Sequence, residues 1–330
     1  MLDFLAIGDI VTEPFIRLKD AKVHCNVDTE RCELCMSFGD KIPYEFQERA
    51  VAVGNAPNAA VAAARLGLSS ALNSYLGDDD YGKECLARLK EEHVDTSLMV
   101  TDPERATNYH FVLWYESERT ILVKHEEFDY AVPDLPATPK WIYLSSLADN
   151  SLPFHHELAT FLDTLPETKL AFQPGTFQMK LGAKALAPIY ERTNLFVCNK
   201  EEAARILERN DLPEMRELLK GLHELGPELV IITDGREGAH AYDGTRMLHI
   251  PMYPDIRSPY ERTGAGDAFT STVASALALG KPIEEALLWG PINSMAVVQK
   301  IAAQKGLLSR DELERYLADA PDDYRVTELS

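Results

Sequence analysis

Glu261-Arg262-Thr263-Gly264-Ala265-Gly266-Asp267-Ala268-Phe269, running into the apolar segment TSTVASALALG that ends at Gly280, is the stretch that decides the reading of this chain. Two glycines and an alanine leave backbone N–H groups uncovered where a helix begins, and the helix dipole adds partial positive charge at the same point. Such a turn cradles phosphate. Asp267, in the first helical turn beside that cradle, is placed to take a proton from an alcohol attacking a phosphoryl group held there by Gly264, Ala265 and Gly266. Cradle plus base reads as a kinase. Taken alone, the segment also fits a plain loop whose acidic residue favours the dipole, so the rest of the chain has to arbitrate.

Upstream, Val53-Gly54-Asn55-Ala56-Pro57-Asn58 runs into AAVAAARLG, a buried-helix pattern closed by Gly67. The strand Leu195-Phe196-Val197-Cys198 precedes Asn199-Lys200-Glu201-Glu202, and LVIITDG (229–235) is a buried strand ending in Thr233-x-Gly235. In this order, TGAGDAF, GNAPN with its alanine-rich helix, and Asn-x-x-Glu resemble the signatures of the ribokinase-like (PfkB) family of carbohydrate and nucleoside kinases. The resemblance runs from Gly8 to about Gln304, with one insertion around a group of cysteines.

The resemblance implies a ribokinase-like three-layer α/β/α sandwich in one domain over 1–330, with a small β-strand lid from about 16–50 and 106–130. It also implies ATP and Mg2+ as donor and cofactor. Gly54, Asn55 and Asn58 would hold substrate hydroxyls, although Val53 stands where the family has its first glycine. Asn199 and Glu202 would organise magnesium and the phosphates, largely through water. Asn followed three residues later by Glu is equally a helix capping box, and both readings can hold together. Thr233 and Gly235 would touch the phosphates, and Asn293 in GPINSMAVV would lie on the helix bordering the adenine. Their plainer readings are a strand-end threonine bonding its own turn and a capping or solvent-facing asparagine.

Glu13 stands five residues after Gly8, where the family has an aspartate that binds two substrate hydroxyls; Asp9 competes for the role. Glu261 retains a charge that helps build a monovalent-cation site in many members. Arg262 beside it either contacts phosphate or, the preferred reading, pairs with an acidic neighbour. Gln173 replaces a charged residue of the sugar kinases, which leaves it a sugar contact or a supporting role. The alternation in TNYHFVLWYESERTILVK (107–124) marks a hairpin turning at Glu116 to Glu118, similar to the family's lid strands.

Cys25, Cys32 and Cys35, with His24 adjacent, fall together in HCNVDTERCELC. C-x6-C-x2-C spacing suits a structural zinc with His24 or a distant residue as fourth ligand, or three reduced cysteines in a lid hairpin. Five cysteines in all, no apolar run near the roughly 18 residues that span a bilayer, and an N-terminus entering a strand directly lead us to expect a cytoplasmic protein. The net charge of −20 argues against nucleic-acid or anionic-membrane partners. The expected acceptor is a small-molecule sugar of ribose or fructose type, with a nucleoside as the alternative, and a homodimer through the lid is the expected assembly. A catalytically silent sugar or nucleotide sensor is the reading from another class, against which the retained Asp267 speaks. A dinucleotide-binding dehydrogenase is excluded, because GDIVTE after the first strand lacks Gly-x-Gly-x-x-Gly.

Overall fold

The computed structural model describes residues 2–26, 31–116, 118–209 and 213–329. Its centre is a nine-stranded sheet. Six parallel strands come first: Ser70–Asn73, Leu2–Ile7, Pro139–Leu144, Lys169–Phe172, Leu195–Asn199 and Leu229–Thr233. An antiparallel edge of Ala239–Tyr242, Met247–Ile250 and Thr327–Leu329 completes it. Parallel strands covered on both faces have no polar side to show, which is why their sequences read as continuous apolar runs.

Strand periodicity splits each run between two cores. Phe4, Ala6, Tyr143, Ala171, Leu195, Val197 and Ile231 face one core. It is covered by the helices Asn55–Arg65, Asp80–Glu91, Ala265–Ala278, Ile283–Val297 and Arg310–Ala318. Leu5, Ile7, Ile142, Leu144, Leu170, Phe172, Phe196 and Ile232 face the other. Leu152–Asp163, Ala187–Arg192, Lys200–Ile206 and Met215–His223 cover that side. The result is the three-layer α/β/α sandwich that the motif order implies.

A second sheet orders Glu118–Leu122, Phe111–Tyr115, Val11–Leu18 and Tyr44–Val53, with Asn108–Tyr109 pairing the start of Val11–Leu18. The hairpin expected at Glu116 pairs in register from Phe111↔Leu122 to Tyr115↔Glu118, and Glu116 takes φ 52°. The sheet starts earlier than the sequence suggests: Val11 already lies opposite Val53, one residue before Gly54. One extended strand therefore joins the lid sheet to the floor of the site. Phe15 is fully buried on it, and the Arg17 guanidinium stacks 4.4 Å above the Trp114 ring.

The zinc expectation is not met. Cys25 and Cys32 face each other in the hairpin Lys22–Asn26/Arg31–Cys35 and form a disulfide, which consumes two of the three thiolates a zinc ion would need. Cys35 is free and exposed, and among the described residues no cluster of three or more His, Cys, Asp or Glu side chains could hold a metal. The all-reduced alternative is likewise overturned for Cys25 and Cys32. Residues 27–30 of the cysteine motif lie outside the described residues. Among the described residues no helix is long and apolar enough to cross a membrane.

Arg65, at the end of the alanine-rich helix, ties three segments together. Its Nε and Nη2 donate to Glu92 at 2.8 and 2.6 Å, and Nη1 donates to the carbonyls of Gln304 and Leu307 at 2.8 and 2.6 Å. Desolvation works against the Glu92 charge, but Arg65 and Arg88 prevail and hold its pKa below the ordinary glutamate value. Replacing Arg65 by Met leaves Glu92 with Arg88 alone and frees two carbonyls, a loss of about 2 kcal/mol for buried groups left short of a donor. Urea unfolding of Arg65→Met should report it; a loss under about 1 kcal/mol would contradict this role.

Candidate active site

Two glycines set the backbone of the site. Gly264 takes the left-handed conformation (φ 80°) at the start of helix Ala265–Ala278, and a Cβ there would lie 2.3 Å from that of Ala303. Gly54 (φ 120°) precedes helix Asn55–Arg65, and a Cβ would lie 2.8 Å from the Asp9 carbonyl oxygen. The two helix starts face each other. Nδ2 of Asn55 donates to Oδ1 of Asp267 at 2.8 Å, and Nδ2 of Asn58 donates to Oδ2 at 2.9 Å.

A third amide completes the shell: Nε2 of Gln173, at the end of strand Lys169–Phe172, donates to Asp267 Oδ1 at 3.2 Å. Two of these amides have their orientation set from behind. The Tyr143 hydroxyl donates to Gln173 Oε1, and Gln304 Nε2 donates to Asn58 Oδ1 at 3.2 Å while also reaching the Ala52 carbonyl at 2.7 Å. An amide whose oxygen is occupied must turn its nitrogen to the carboxylate. Arg65, by holding the Gln304 carbonyl, extends this chain to the protein surface.

Desolvation raises the pKa of Asp267 above that of an ordinary aspartate; the Asn58 and Gln173 amides pull it down, and the Glu13 carboxylate pushes it up. Glu202 is also raised, chiefly by burial, with the Asp267 charge adding to it. Asn199 and Glu202 form the reciprocal capping box: Asn199 Oδ1 accepts from Glu202 N–H at 2.8 Å and Glu202 Oε2 from Asn199 N–H at 2.9 Å.

Beside the catalytic turn a cavity of about 470 Å³ is lined by Asn199, Thr233, Gly235, Ala265, Gly266 and Arg262, among others. A Cβ at Gly266 would meet nothing within 4 Å, so the helix start is bare where it meets this space. The Ala265 N–H is turned to the Arg262 carbonyl at 3.4 Å, which leaves the N–H groups of Gly266 and Asp267 as the better donors. Arg262 is exposed and pairs with no carboxylate among the described residues, against the expectation of an acidic partner. Glu261 is buried; its Oε1 accepts the Thr263 N–H at 2.7 Å and the Thr263 hydroxyl, and its Oε2 has no partner.

Asn293 lies on a helix that borders the cavity, but its side chain does not line it. It is fully buried, donating to Thr272 Oγ1 at 2.8 Å and accepting from Leu308 N–H at 2.9 Å, and so ties its helix to Ala265–Ala278. Its neighbours Pro291, Ser294 and Met295 line the cavity instead. Asp9, the rival of Glu13, is fully engaged: His125 Nε2 lies 2.5 Å from its Oδ2, and the Tyr130 hydroxyl lies 2.9 Å from both oxygens. Glu13 pairs only with His110, at 3.4 Å. Nothing in the sequence singles out Gln304, His125 or Tyr130, and His110 stands out only as one of the lid aromatics able to stack on a base. Only the alternation of the lid strand could have placed His110 on the Glu13 face.

A half-buried carboxylate at a helix N-terminus, beside a glycine-lined cavity on a doubly covered sheet, is an arrangement suited to phosphoryl transfer. Residues 20–310 match the model of the pfkB family carbohydrate kinases, and the chain belongs to that family. It is 30% identical over 274 residues to a ribokinase of Bacillus subtilis (strain 168), covering 80% of this chain and 87% of that one. It is 25% identical over 283 residues to a 5-dehydro-2-deoxygluconokinase of Halalkalibacterium halodurans, with 79% and 84% covered. Arabidopsis thaliana ribokinase, solved with ribose and ATP, superposes with a TM-score of 0.76 at 16% identity over 95% of this chain and 98% of that one. The protein is a kinase of this family with an alcohol group as acceptor.

Gln173→Glu places a second carboxylate on Asp267 while Tyr143 keeps its partner. A like charge at this distance should raise the Asp267 pKa, moving the acidic limb of the kcat/KM profile up by about one pH unit or more. An unmoved limb would show that Gln173 does not control this carboxylate.

Proposed function

We propose that the chain transfers the γ-phosphoryl group of ATP to a hydroxymethyl group of a sugar of ribose or fructose type, with Asp267 as general base. The observation that carries this reading is the Asp267 carboxylate, held by three neutral amides at the first turn of a helix whose glycine start lines the cavity. Neutral donors fix its position without the pKa drop of about 1–3 units that an arginine partner would bring. A raised pKa makes its ionised form a stronger proton acceptor.

ATP would lie along the cavity with its phosphates toward the bare turn, where the N–H groups of Gly266 and Asp267 and the cation of Arg262 meet developing negative charge. Thr233 and Gly235 line the same space and suit contacts to the phosphates. The donor set fits magnesium: Glu202, with Asn199 at the cavity wall, would hold the ion through its water shell. That ion would supply neutralisation of the donor phosphates. The Asp267 carboxylate would take the proton of the acceptor hydroxyl as the hydroxyl oxygen bonds the γ-phosphorus and the bond from that phosphorus to ADP breaks, and the lid sheet would exclude water from the attack.

Asp267→Asn keeps the size and removes the base. Acceptor-dependent ATP turnover should fall by about 10²–10⁴-fold with ADP binding retained. An Asn variant within tenfold of the wild type would refute Asp267 as the base.

A further inference from the structure

His110 has one nitrogen without a use in the arrangement above. It follows strand Asn108–Tyr109, and its N–H donates to the Thr12 carbonyl at 3.1 Å. Thr12 packs on Cys85 and Tyr109 on Tyr81, so strand alternation turns Glu13 and His110 to the opposite face. Glu13 on that face is close enough for its charge to act on Asp267. His110 is more than nine-tenths buried, its Nδ1 lies 3.4 Å from Glu13 Oε1, and its Nε2 has no hydrogen-bond partner among the described residues. The ring stands 5.6 Å from that of His125, whose Nε2 is already taken by Asp9.

With Nδ1 3.4 Å from the Glu13 carboxylate, a neutral imidazole carries its proton on Nδ1 and presents a lone pair on Nε2. An unpaired buried acceptor costs about 1–3 kcal/mol, which an O–H donor would relieve. His110 and the Glu13 carboxylate are adjacent, and with Asp267, on which the Glu13 charge acts, they make up the proposed wall of acceptors. Hydroxyl groups can donate to all of them. A carboxylate or phosphate on the acceptor brings only lone pairs and negative charge to face two carboxylates. Lys180 lies over the Phe177 ring, 5.1 Å from its centroid, and makes no ion pair with Glu13 or Asp9.

We infer that His110 is an acceptor-binding residue, taking a hydroxyl hydrogen on Nε2 beside Glu13, and that this wall selects neutral polyhydroxylated sugars over sugar acids and sugar phosphates. The inference rests on the sugar-kinase reading above. Its test compares D-ribose and D-fructose with 2-keto-3-deoxy sugar acids and sugar phosphates, using ATP and magnesium, in the full-length wild type, His110→Ala and His110→Gln. Neutral sugars should lead by about 100-fold or more in kcat/KM. His110→Ala should raise the acceptor KM by about 10–100-fold, more than it lowers kcat, and His110→Gln, whose Oε1 can accept, should recover part of the loss.

Monodeoxy versions of the preferred sugar cover a misfolded Ala variant. One position should cost the wild type about tenfold or more and cost His110→Gln less, because the partner is already compromised. A wild type that prefers a sugar acid or sugar phosphate overturns the inference and leaves the kinase reading standing. So does a KM within about twofold in a folded Ala variant, or a deoxy series without a sensitive position. A wild type that binds ATP but turns over no sugar of any class sinks the sugar-kinase reading itself, and this inference with it.

Discussion

The site depends on keeping one carboxylate charged away from bulk water. An ion such as Asp267 loses several kcal/mol of hydration on burial, and the usual remedy is an opposite charge. Here the remedy is three amide N–H donors from Asn55, Asn58 and Gln173. Charge is stabilised without being cancelled, so the oxygen lone pairs keep their basicity. The cost passes outward: an amide is a useful donor only if it cannot flip, and Tyr143 and Gln304 occupy the oxygens of two of them. Strand ends, helix starts and the 304–307 loop are therefore bound to one geometry, with Arg65 and Glu92 as its outer anchor.

The same constraint orders the charges around the site. The protein carries a formal charge of −20, yet the cavity beside Asp267 presents a bare helix N-terminus and the cation of Arg262. Phosphate is drawn to this point against the field of the whole molecule. Across Asp267 the lid strand brings Glu13 and His110, groups suited to receive hydrogens rather than anions. In the proposed reading, cation and helix N-terminus on one side and acceptors on the other would separate the two substrates by chemistry as well as by position.

Much of this was legible in the sequence. The sheet strands are buried on both faces and read as apolar runs, and the glycines before Asp267 announce a bare helix start, although the clash with Ala303 that excludes a side chain at Gly264 does not show in the sequence. What was not legible depends on contacts across large sequence separations. Gln173 was an unplaced departure until the fold set it 94 positions away against Asp267, and nothing near Gln304 announces a tie to Asn58. For Cys25 and Cys32 the spacing suggests zinc or free thiols; only the hairpin that puts them face to face reveals the disulfide. Asn293 has a local pattern compatible with nucleotide contact, and only packing shows both its polar groups already used.

The central claim is that Asp267 works as a buried, ionised base with a raised pKa. The most direct measurement is wild-type kcat/KM for the accepted sugar from acidic to neutral pH, with stability followed over the same range. An acidic limb of unit slope is expected, bending at an apparent pKa above the roughly 3.9 of a free aspartate while the protein is still folded. A profile that stays flat to or below that value in folded protein would contradict the claim.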